Sequence, residues 1–410
     1  EEFECFATTV PHLVSMLLAP ERDSDAPDIP TPRSYTEAIE GSPPGANIVS
    51  GMWIFKVKRP PGSPPAFKAC YVTRGFSQRQ GVDFFQNFSH TPKMTTLREL
   101  LHIAAQHDYE LHSLDFSTAF LQGSLHEEIW LRRPPGFSGL IPTGTQWSLR
   151  RPVYGLRQAP HEWHDTLKTI LAVLGFASST SDPSLFLHTD TTLPPFYVLV
   201  YVDDLVFATA DTEALAHVKS ELQRRDTCTD LGELTSYLGL RITRDRAQRT
   251  ITLTQSHMVQ KVLQLFGFTY SSPQSTPLPT GYSLSAPPSD ESVEPSGPYP
   301  ELVGCLMYLM TCTRPDLAYP LSLLARYVAP GRHRKGSSQG YTFSLGSGSV
   351  SWRSTRSSSV LSFSCEAEIY AGAMAAQELR WLTYLLTDLG EASRSPPVLY
   401  IDNKAMLALC

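Results

Sequence analysis

The sequence predicts an α+β fold in which a large mixed domain lies between two linkers. Runs rich in β-branched and aromatic residues, such as 196–202, alternate with helical patterns such as 95–107, so neither element type dominates. Segments 20–44 and 271–300 are instead rich in Pro and Ser. They hold too few large apolar side chains to offset the entropy of ordering, and we interpret them as linkers.

The elements of the mixed domain follow from local patterns. Strands at 52–58 and 66–74 flank a turn rich in Pro and predict a hairpin. A helix at 95–107 leads into a short strand at 109–114, with Asp115 at its end. The remaining predicted elements are helices at 159–174, 212–225 and 255–265, strands at 237–243 and 250–254, and a helical block at 302–327.

Two apolar strands, 196–202 and 205–209, are separated only by Asp203 and Asp204, which predicts a tight hairpin with an acidic tip. Joining a nucleotide to a primer uses two Mg²⁺ ions about 3.5–4 Å apart. Carboxylates hold such hard cations. Asp203 and Asp204, with Asp115, would supply such a site if their strands are neighbours. A solvated turn is the alternative interpretation.

The charge distribution permits nucleic-acid binding without requiring it. The whole chain of 410 residues carries a net charge of −6, which taken alone argues against contacts to phosphate. Residues 51–160, however, hold 13 Lys and Arg against 7 Asp and Glu, so the positive charge is concentrated there. A solvated surface of mixed charge would look the same.

Cysteine usage and hydropathy indicate an intracellular protein without a membrane span. The seven cysteines are scattered and form no C-x-x-C pair, which favours a reducing compartment over a disulfide framework or a zinc site. No apolar stretch approaches the roughly 20 residues that a span needs. Because the chain starts at Glu1 and ends at Cys410 directly after an apolar run, we expect a piece of a longer protein.

An ordered series of short motifs extends over residues 50–328. The motifs are FKA at 67–69, RGFSQ at 74–78, LD at 114–115, AFLQGSL at 119–125, RPPGF at 133–137, YGLRQAP at 154–160, YVDD at 201–204, YLG at 237–239 and TRPD at 313–316. In this series the chain resembles the reverse transcriptase region of copia-type retrotransposon Pol polyproteins. A single Tyr-x-Asp-Asp match would be weak, whereas an ordered series is not a chance result.

The resemblance implies a right-hand polymerase, with fingers and palm followed by a helical thumb-like segment. The implied activity is RNA-directed DNA polymerisation, with Mg²⁺ as cofactor or Mn²⁺ in its place. The implied partners are an RNA template, a DNA primer, the RNA–DNA hybrid and deoxynucleoside triphosphates. The implied location is the cytoplasm or a particle, without a membrane.

The same resemblance assigns roles to individual residues. Asp115, Asp203 and Asp204 match the catalytic, metal-binding triad of the family. Phe120 matches the aromatic residue that excludes a ribose 2′-hydroxyl, although an ordinary core aromatic is the alternative.

Three further residues match nucleotide-binding positions of the family: Lys68, Arg74 and Gln158. Lone basic residues on a strand are more often solvated charges. One departure lies nearby, because Cys70 replaces a usual Arg and so removes a charged bidentate donor. Nucleotide affinity is therefore expected to be lower than in the family.

Residues 340–410 resemble the ribonuclease H domain that follows copia-type polymerases. Glu368 and Asp402 match two of its acidic metal ligands, and Glu368 together with Glu366 could equally be surface acids of a helix. The other two acids have no counterpart in this sequence. Since affinity depends on ligand number and geometry, we expect an incomplete α/β ribonuclease H-like domain without activity.

The predicted organisation has five parts: a mostly disordered linker at 1–49, fingers and palm at 50–271, a Pro/Ser-rich linker at 272–298, a helical thumb or connection segment at 299–330, and the truncated ribonuclease H-like domain at 331–410. Two functions remain open. The first is an active polymerase, and the second is a non-catalytic relic that keeps the fold and a nucleic-acid-binding groove.

Overall fold

A computed structural model describes residues 47–58, 64–136, 146–225, 227–279, 282, 298–328, 337–356, 364–392, 396–401 and 403–409. The elements within them are mixed α and β, which confirms the predicted class. The predicted linkers 1–49 and 272–298 lie largely outside these residues, as does Asp402. No helix in the described part is long and apolar enough to cross a membrane.

Strands and helices are interspersed along the described chain. The strands are β1 (Ile48–Val49), β2 (Gly51–Lys58), β3 (Ala66–Thr73), β4 (Glu110–Phe116), β5 (Trp130–Arg132), β6 (Gln146–Ser148), β7 (Phe176–Ser178), β8 (Leu185–His188), β9 (Phe196–Tyr201), β10 (Asp204–Thr209), β11 (Cys228–Glu233), β12 (Ser236–Tyr237), β13 (Leu240–Asp245), β14 (Thr250–Thr254), β15 (Ser338–Leu345) and β16 (Gly348–Arg356). The helices are α1 (Met94–Gln106), α2 (Ala159–Val173), α3 (Thr212–Arg225), α4 (Ser256–Leu265), α5 (Tyr299–Cys312), α6 (Ala318–Leu324), α7 (Ser364–Asp388) and α8 (Lys404–Leu409).

A six-stranded antiparallel sheet, in the order β11-β4-β10-β9-β8-β7, forms the centre of the molecule. Its inner strands β4, β10 and β9 are buried on both faces, because their side chains alternate between two separate cores. On β9, Val198 and Val200 belong to the core that includes α2 and α3. Tyr197 and Leu199 belong to the core that includes α1. Both faces of the sheet are therefore covered, and the ends of the strands are the places where polar groups can collect.

The long hairpin of β2 and β3 pairs along its full length, as the sequence predicted. Side chains on one face of β3 include Lys68 and Cys70, which are two residues apart. A smaller sheet joins β1, just before this hairpin, to β5 and β6. The sequence did not predict it, because its strands have only two or three residues.

Two predicted elements were wrong in detail. The strand predicted at 237–243 is interrupted, because Leu238 and Gly239 both have positive φ and form a turn between β12 and β13. The helical block predicted at 302–327 is divided into α5, α6 and short 3₁₀ segments, one of which begins at Pro315. Proline cannot donate the backbone hydrogen bond that would continue α5.

The end of the long C-terminal helix α7 packs against the central sheet. Leu385 and Leu389, at the end of α7, are fully buried in the core that includes α1. The Tyr197 hydroxyl donates to the Leu389 carbonyl at 2.7 Å, and the Trp381 indole donates to the Ser181 carbonyl at 2.8 Å. The end of α7 therefore completes a core whose other members come from the centre of the chain.

Arg98 of α1 connects the same parts. Its guanidinium donates to the carbonyls of Cys312 and Val350, each at 2.9 Å, and lies 3.9 Å from the centre of the Trp352 ring. One buried cation thus joins α1, the end of α5 and β16.

Candidate active site

The acidic hairpin tip lies at one end of the central sheet. β9 and β10 pair so that Tyr201 is opposite Asp204, which leaves Val202 and Asp203 as a two-residue turn. Val202 has a φ of 56°, a conformation that β-branched residues rarely adopt. A turn this short fixes the direction of both aspartates relative to the sheet.

Asp115 lies beside this tip, as the sequence predicted. β4 pairs antiparallel with β10, and Asp115 is directly opposite Asp204 in the register. The Phe116 amide donates to the Asp203 carbonyl at 2.8 Å, which extends the pairing into the turn. β4 runs to residue 116 rather than 114, so Asp115 is inside the strand and its position is set by hydrogen bonds on both sides.

Burial and mutual repulsion change the protonation of the two tip acids. Burial, followed by the charges of Asp203 and Asp115, raises the pKa of Asp204 to about 6. The pKa of Asp203 is also raised, mainly by burial and also by Asp115, while its own backbone amide and Lys68 act in the opposite direction. Burial and the neighbouring acids therefore both disfavour the charged forms of Asp203 and Asp204.

The residue types fit a hard divalent cation. All three groups are carboxylates, the ligand type that hard cations prefer, and burial together with neighbouring acids raises the pKa of both Asp203 and Asp204. As they stand, no three His, Cys, Asp or Glu side chains in the described ranges are arranged to hold an ion.

The β2–β3 hairpin brings a positive charge to the acids. Lys68 is exposed on β3, and its charge lowers the pKa of Asp203, so the ammonium group lies near the hairpin tip. Arg74 is also exposed and follows the end of β3, where its amide donates to the Ser50 carbonyl at 2.7 Å. Of these two residues predicted to contact a nucleotide, Lys68 is the one whose charge acts on an acid of the hairpin tip.

Phe120 lies in a short 3₁₀ helix, Ala119–Gln122, just after β4. Its ring is largely buried, and its centre lies 4.5 Å from the centre of the Tyr154 ring. The two aromatic rings form one packed unit beside the acids. The geometry is compatible with the predicted role as a steric barrier and with the alternative role as a core residue.

Gln158 is placed differently from what its predicted role suggests. It is fully buried, at 0% exposure, and precedes α2. Its amide oxygen accepts from Gln78 at 3.0 Å, and its amide nitrogen donates to the Asp83 carbonyl at 2.9 Å. In this conformation the side chain links two loops and is not presented to a ligand.

Tyr154 is a site residue to which the sequence analysis assigned no role. Burial, followed by the charges of Asp203, Cys70 and Asp115, raises the pKa of its hydroxyl to about 12, which places the ring between β3 and the acids. The next residue, Gly155, has a φ of 96°, and an added Cβ would lie 2.1 Å from the Thr73 carbonyl oxygen. Only glycine allows this approach, and the glycine in the 154–160 motif was the available signal.

The acids that match ribonuclease H ligands are Glu368 and Asp402, and Glu366 is close to the first of them in sequence. Glu368 is half-buried on α7 and lines a cavity of about 1220 Å³ between α7, β15 and residues 398–401. Glu366 lies two residues earlier on the same helix, and Asp402 is outside the described residues. Of the predicted pair Glu368 and Asp402, the structure therefore describes Glu368 alone.

A comparison with protein families identifies the class to which this fold and site belong. Residues 37–280 match the family model described as "Reverse transcriptase (RNA-dependent DNA polymerase)". The chain therefore belongs to the reverse transcriptase family. Its relatives are Pol polyproteins of copia-type transposons, to which the sequence motifs already pointed.

Two plant relatives match nearly the whole chain. The Retrovirus-related Pol polyprotein from transposon TNT 1-94 of Nicotiana tabacum is 30% identical over 416 residues, 90% of this chain and 31% of the relative. The Retrovirus-related Pol polyprotein from transposon RE2 of Arabidopsis thaliana is 32% identical over 420 residues, 91% of this chain and 28% of the relative. The chain thus spans about a third of the length of these relatives.

A solved structure of a foamy viral protease-reverse transcriptase in complex with double-stranded DNA has a TM-score of 0.34 and 12% identity, and covers 85% of this chain and 68% of that chain. Such a low similarity adds nothing to the assignment.

Proposed function

We propose that this chain is an RNA-directed DNA polymerase, which joins deoxynucleotides to a DNA primer on an RNA template by two-metal nucleotidyl transfer. The observation that supports this most strongly is the direct pairing of Asp115 with Asp204, with Asp203 in the adjoining turn. In this proposal residues 50–271 are fingers and palm, 299–330 are the thumb or connection segment, and 331–410 are a ribonuclease H-like remnant.

The three aspartates would hold Mg²⁺ or Mn²⁺, which favours deprotonation of the primer 3′-hydroxyl and neutralises the triphosphate. Lys68 faces Asp203 and is exposed, so its ammonium group can pair with a phosphate oxygen of the incoming nucleotide. Arg74 is assigned to the same triphosphate. Phe120, held against Tyr154, would form a rigid wall beside the sugar. Gln158 would act by holding its loop under the nucleotide.

Primer extension tests this proposal. The purified chain is incubated with oligo(dT) annealed to poly(rA), labelled dTTP and Mg²⁺ or Mn²⁺. We expect incorporation by the wild type and none by Asp203→Asn, which keeps the side-chain shape and removes the charge. Asp190→Asn is the matched control, because Asp190 is exposed on the loop before β9 and its carboxylate accepts hydrogen bonds from Thr192. Equal incorporation by all three proteins would contradict the proposal.

A second candidate is nucleic-acid binding without turnover, and Cys70 is the observation that favours it. Cys70 is a free, half-buried thiol close to Tyr154, at the position where the family resemblance leads one to expect Arg. In the same assay, retention of the RNA–DNA hybrid on the protein with no incorporation under any metal would support this candidate instead.

We further propose that the C-terminal unit does not cleave RNA. Two-metal hydrolysis needs several carboxylate oxygens for each cation, and Glu368 and Asp402 provide only two matching groups.

A further inference from the structure

We infer that Trp163 is a positioning residue that holds the turn bearing Asp203 and Asp204 in a strained but fixed conformation. The inference deepens the proposed function and rests on it, because positioning matters for turnover only if these carboxylates are the catalytic ones. Trp163 lies on α2, five residues after Gln158, and the sequence analysis assigned it no role.

The central contact is a hydrogen bond to the backbone of the turn. The Trp163 indole N–H donates to the Val202 carbonyl at 2.6 Å. Trp163 is 1% exposed, and the Val202 turn that accepts its hydrogen bond is half-buried, so water has limited access to this contact. Losing the donor would leave the carbonyl of a half-buried turn without this partner, which costs more than the loss of a fully exposed hydrogen bond.

The turn needs such a contact because Val202 is strained. Its φ of 56° places a β-branched side chain in the left-handed region, which normally favours glycine. Conformations of this kind persist only where the surroundings determine them. In Tyr201-Val202-Asp203-Asp204 the strain is located one residue before the first acid of the tip.

Two adjacent carbonyls of the turn are held by two side-by-side residues. The Val202 carbonyl accepts from Trp163, and the next carbonyl, of Asp203, accepts from the Phe116 amide at 2.8 Å. The rings of Trp163 and Phe116 are in edge contact, with centres 5.0 Å apart. Phe116 directly follows Asp115. The contact therefore fixes the Asp203–Asp204 tip and Asp115 relative to one another, which is what two cations with a narrow range of separations require.

The experiment uses the full chain and four variants. Trp163→Phe keeps a ring against Phe116 and removes the N–H donor. Trp381→Phe is the matched control, because it removes an indole-to-carbonyl hydrogen bond of similar length, at 2.8 Å, between α7 and Ser181. Val202→Gly relieves the strain, because glycine adopts positive φ without cost. The fourth variant combines Trp163→Phe with Val202→Gly.

Two measurements are made on each protein. Primer extension on poly(rA)·oligo(dT) gives kcat and the KM for dTTP. The metal-free protein is also titrated with Mn²⁺. The electron paramagnetic resonance signal of free Mn²⁺ then gives the affinity of the carboxylate site, and this measurement does not depend on turnover. A version with benzothienylalanine at position 163, which has the shape of tryptophan but no N–H, replaces Trp163→Phe if that variant does not fold.

We expect Trp163→Phe to lower kcat by about tenfold and to weaken Mn²⁺ binding several-fold, with little change in the KM for dTTP. Trp381→Phe should match the wild type in both. In the Val202→Gly background the effect of Trp163→Phe should fall to about twofold or less, because a relaxed turn no longer depends on the donor.

The outcomes separate the two proposals. In one outcome the wild type binds Mn²⁺ but does not extend primers, Trp163→Phe weakens Mn²⁺ binding, and Val202→Gly removes most of that effect. The proposed polymerase function then fails and the positioning role stands. If the wild type extends primers and Trp163→Phe behaves like Trp381→Phe, or its effect is unchanged by Val202→Gly, the positioning role is overturned and the function stands. Absence of both extension and Mn²⁺ binding in the wild type overturns both.

Discussion

Asp204 and Asp115 face each other directly across two antiparallel strands, with Asp203 one residue away in the turn. The pairing concentrates negative charge at one end of a sheet whose two faces are covered. Such an arrangement is unfavourable for an isolated fold, and it becomes favourable when a cation binds. The free energy of unfolding of the metal-free protein is therefore an indirect measure of the repulsion between these carboxylates.

Asp204→Asn should stabilise the metal-free protein at pH 7. Burial and neighbouring acids raise the pKa of Asp204 to about 6, so its contribution to stability is fully present below about pH 4 and is lost as the pH rises to about 6. After allowance for solvent screening, we expect a gain of about 1 kcal/mol in the free energy of unfolding. The measurement is urea denaturation at pH 7 in EDTA.

The control for this prediction is Asp190→Asn, which replaces an exposed acid whose pKa is lowered by Thr192 and should give no gain. Added Mg²⁺ should stabilise the wild type more than Asp204→Asn. Equal stability of wild type and Asp204→Asn in EDTA would show that repulsion at the tip is already relieved.

Phe120→Ala should admit ribonucleotides. If the Phe120 ring, packed on Tyr154, forms the wall beside the sugar, its removal opens space for a 2′-hydroxyl, since the selection is by exclusion. The measurement is the ratio of kcat/KM for dTTP and UTP. Because the ring is buried, the variant should also lose about 3 kcal/mol of stability. Loss of stability with unchanged discrimination would reduce Phe120 to a core residue.

Cys70→Arg should improve nucleotide binding. Cys70 lies on the same strand as Lys68, two residues away, and close to Tyr154. A guanidinium here could pair with a phosphate in a bidentate manner, so we expect the KM for dTTP to fall by about tenfold. Cys70→Ser is the control without added charge. If the KM is the same for both variants, the replacement of Arg by Cys is not what limits nucleotide binding.

The C-terminal unit should not cleave the RNA strand of an RNA–DNA hybrid. The hybrid, labelled in its RNA strand, is incubated with the protein and Mg²⁺ or Mn²⁺. Only Glu368 and Asp402 match the required ligands, so at least one cation would depend mostly on water and substrate. Metal-dependent cleavage that Glu368→Gln abolishes would mean that other groups complete the site.

Glu99→Gln should stabilise the protein at alkaline pH. Glu99 of α1 is 1% exposed, and burial, with a further contribution from Glu378 of α7, raises its pKa to about 8. The carboxyl is therefore neutral in the fold at pH 7, and stability falls as the pH rises from about 4.5 to about 8. Replacing it with a neutral amide removes this loss.

The expected gain for Glu99→Gln is on the order of 3 kcal/mol at pH 8 and much smaller at pH 5, as measured by urea denaturation. Glu221→Gln serves as the control, because Glu221 is an acid on α3 whose pKa is lowered by Arg224. A gain of equal size at both pH values would point to packing instead of ionisation.

Much of the site could be predicted from sequence because it depends on local patterns. The β9–β10 hairpin was visible from two apolar strands separated by Asp203 and Asp204, and Asp115 from a strand that ends in an acid. Their adjacency was a hypothesis until the register of β4 and β10 confirmed it. Periodicity identifies strands, but only the fold determines which strands are neighbours.

Contacts made by buried polar side chains could not be predicted in this way. Gln158 and Trp163 are separated from their partners by 31 to 80 residues, and no local pattern indicates these partners. The break at Leu238 and Gly239 was missed for a different reason, because apolar residues on both sides gave the pattern of one strand. Positive φ at Leu238 follows from tertiary context and not from residue type.

The contact between α7 and the central sheet has a consequence for synthesis of the chain. The Tyr197 hydroxyl meets the carbonyl of Leu389, 192 residues later. At about 5–20 residues per second, the ribosome needs roughly 10–40 s to make the intervening chain. During that time Leu385 and Leu389 are not yet available to cover the face of the sheet that bears Leu199. The nascent protein therefore passes through a period of exposed apolar surface, in which chaperones have their greatest opportunity to act.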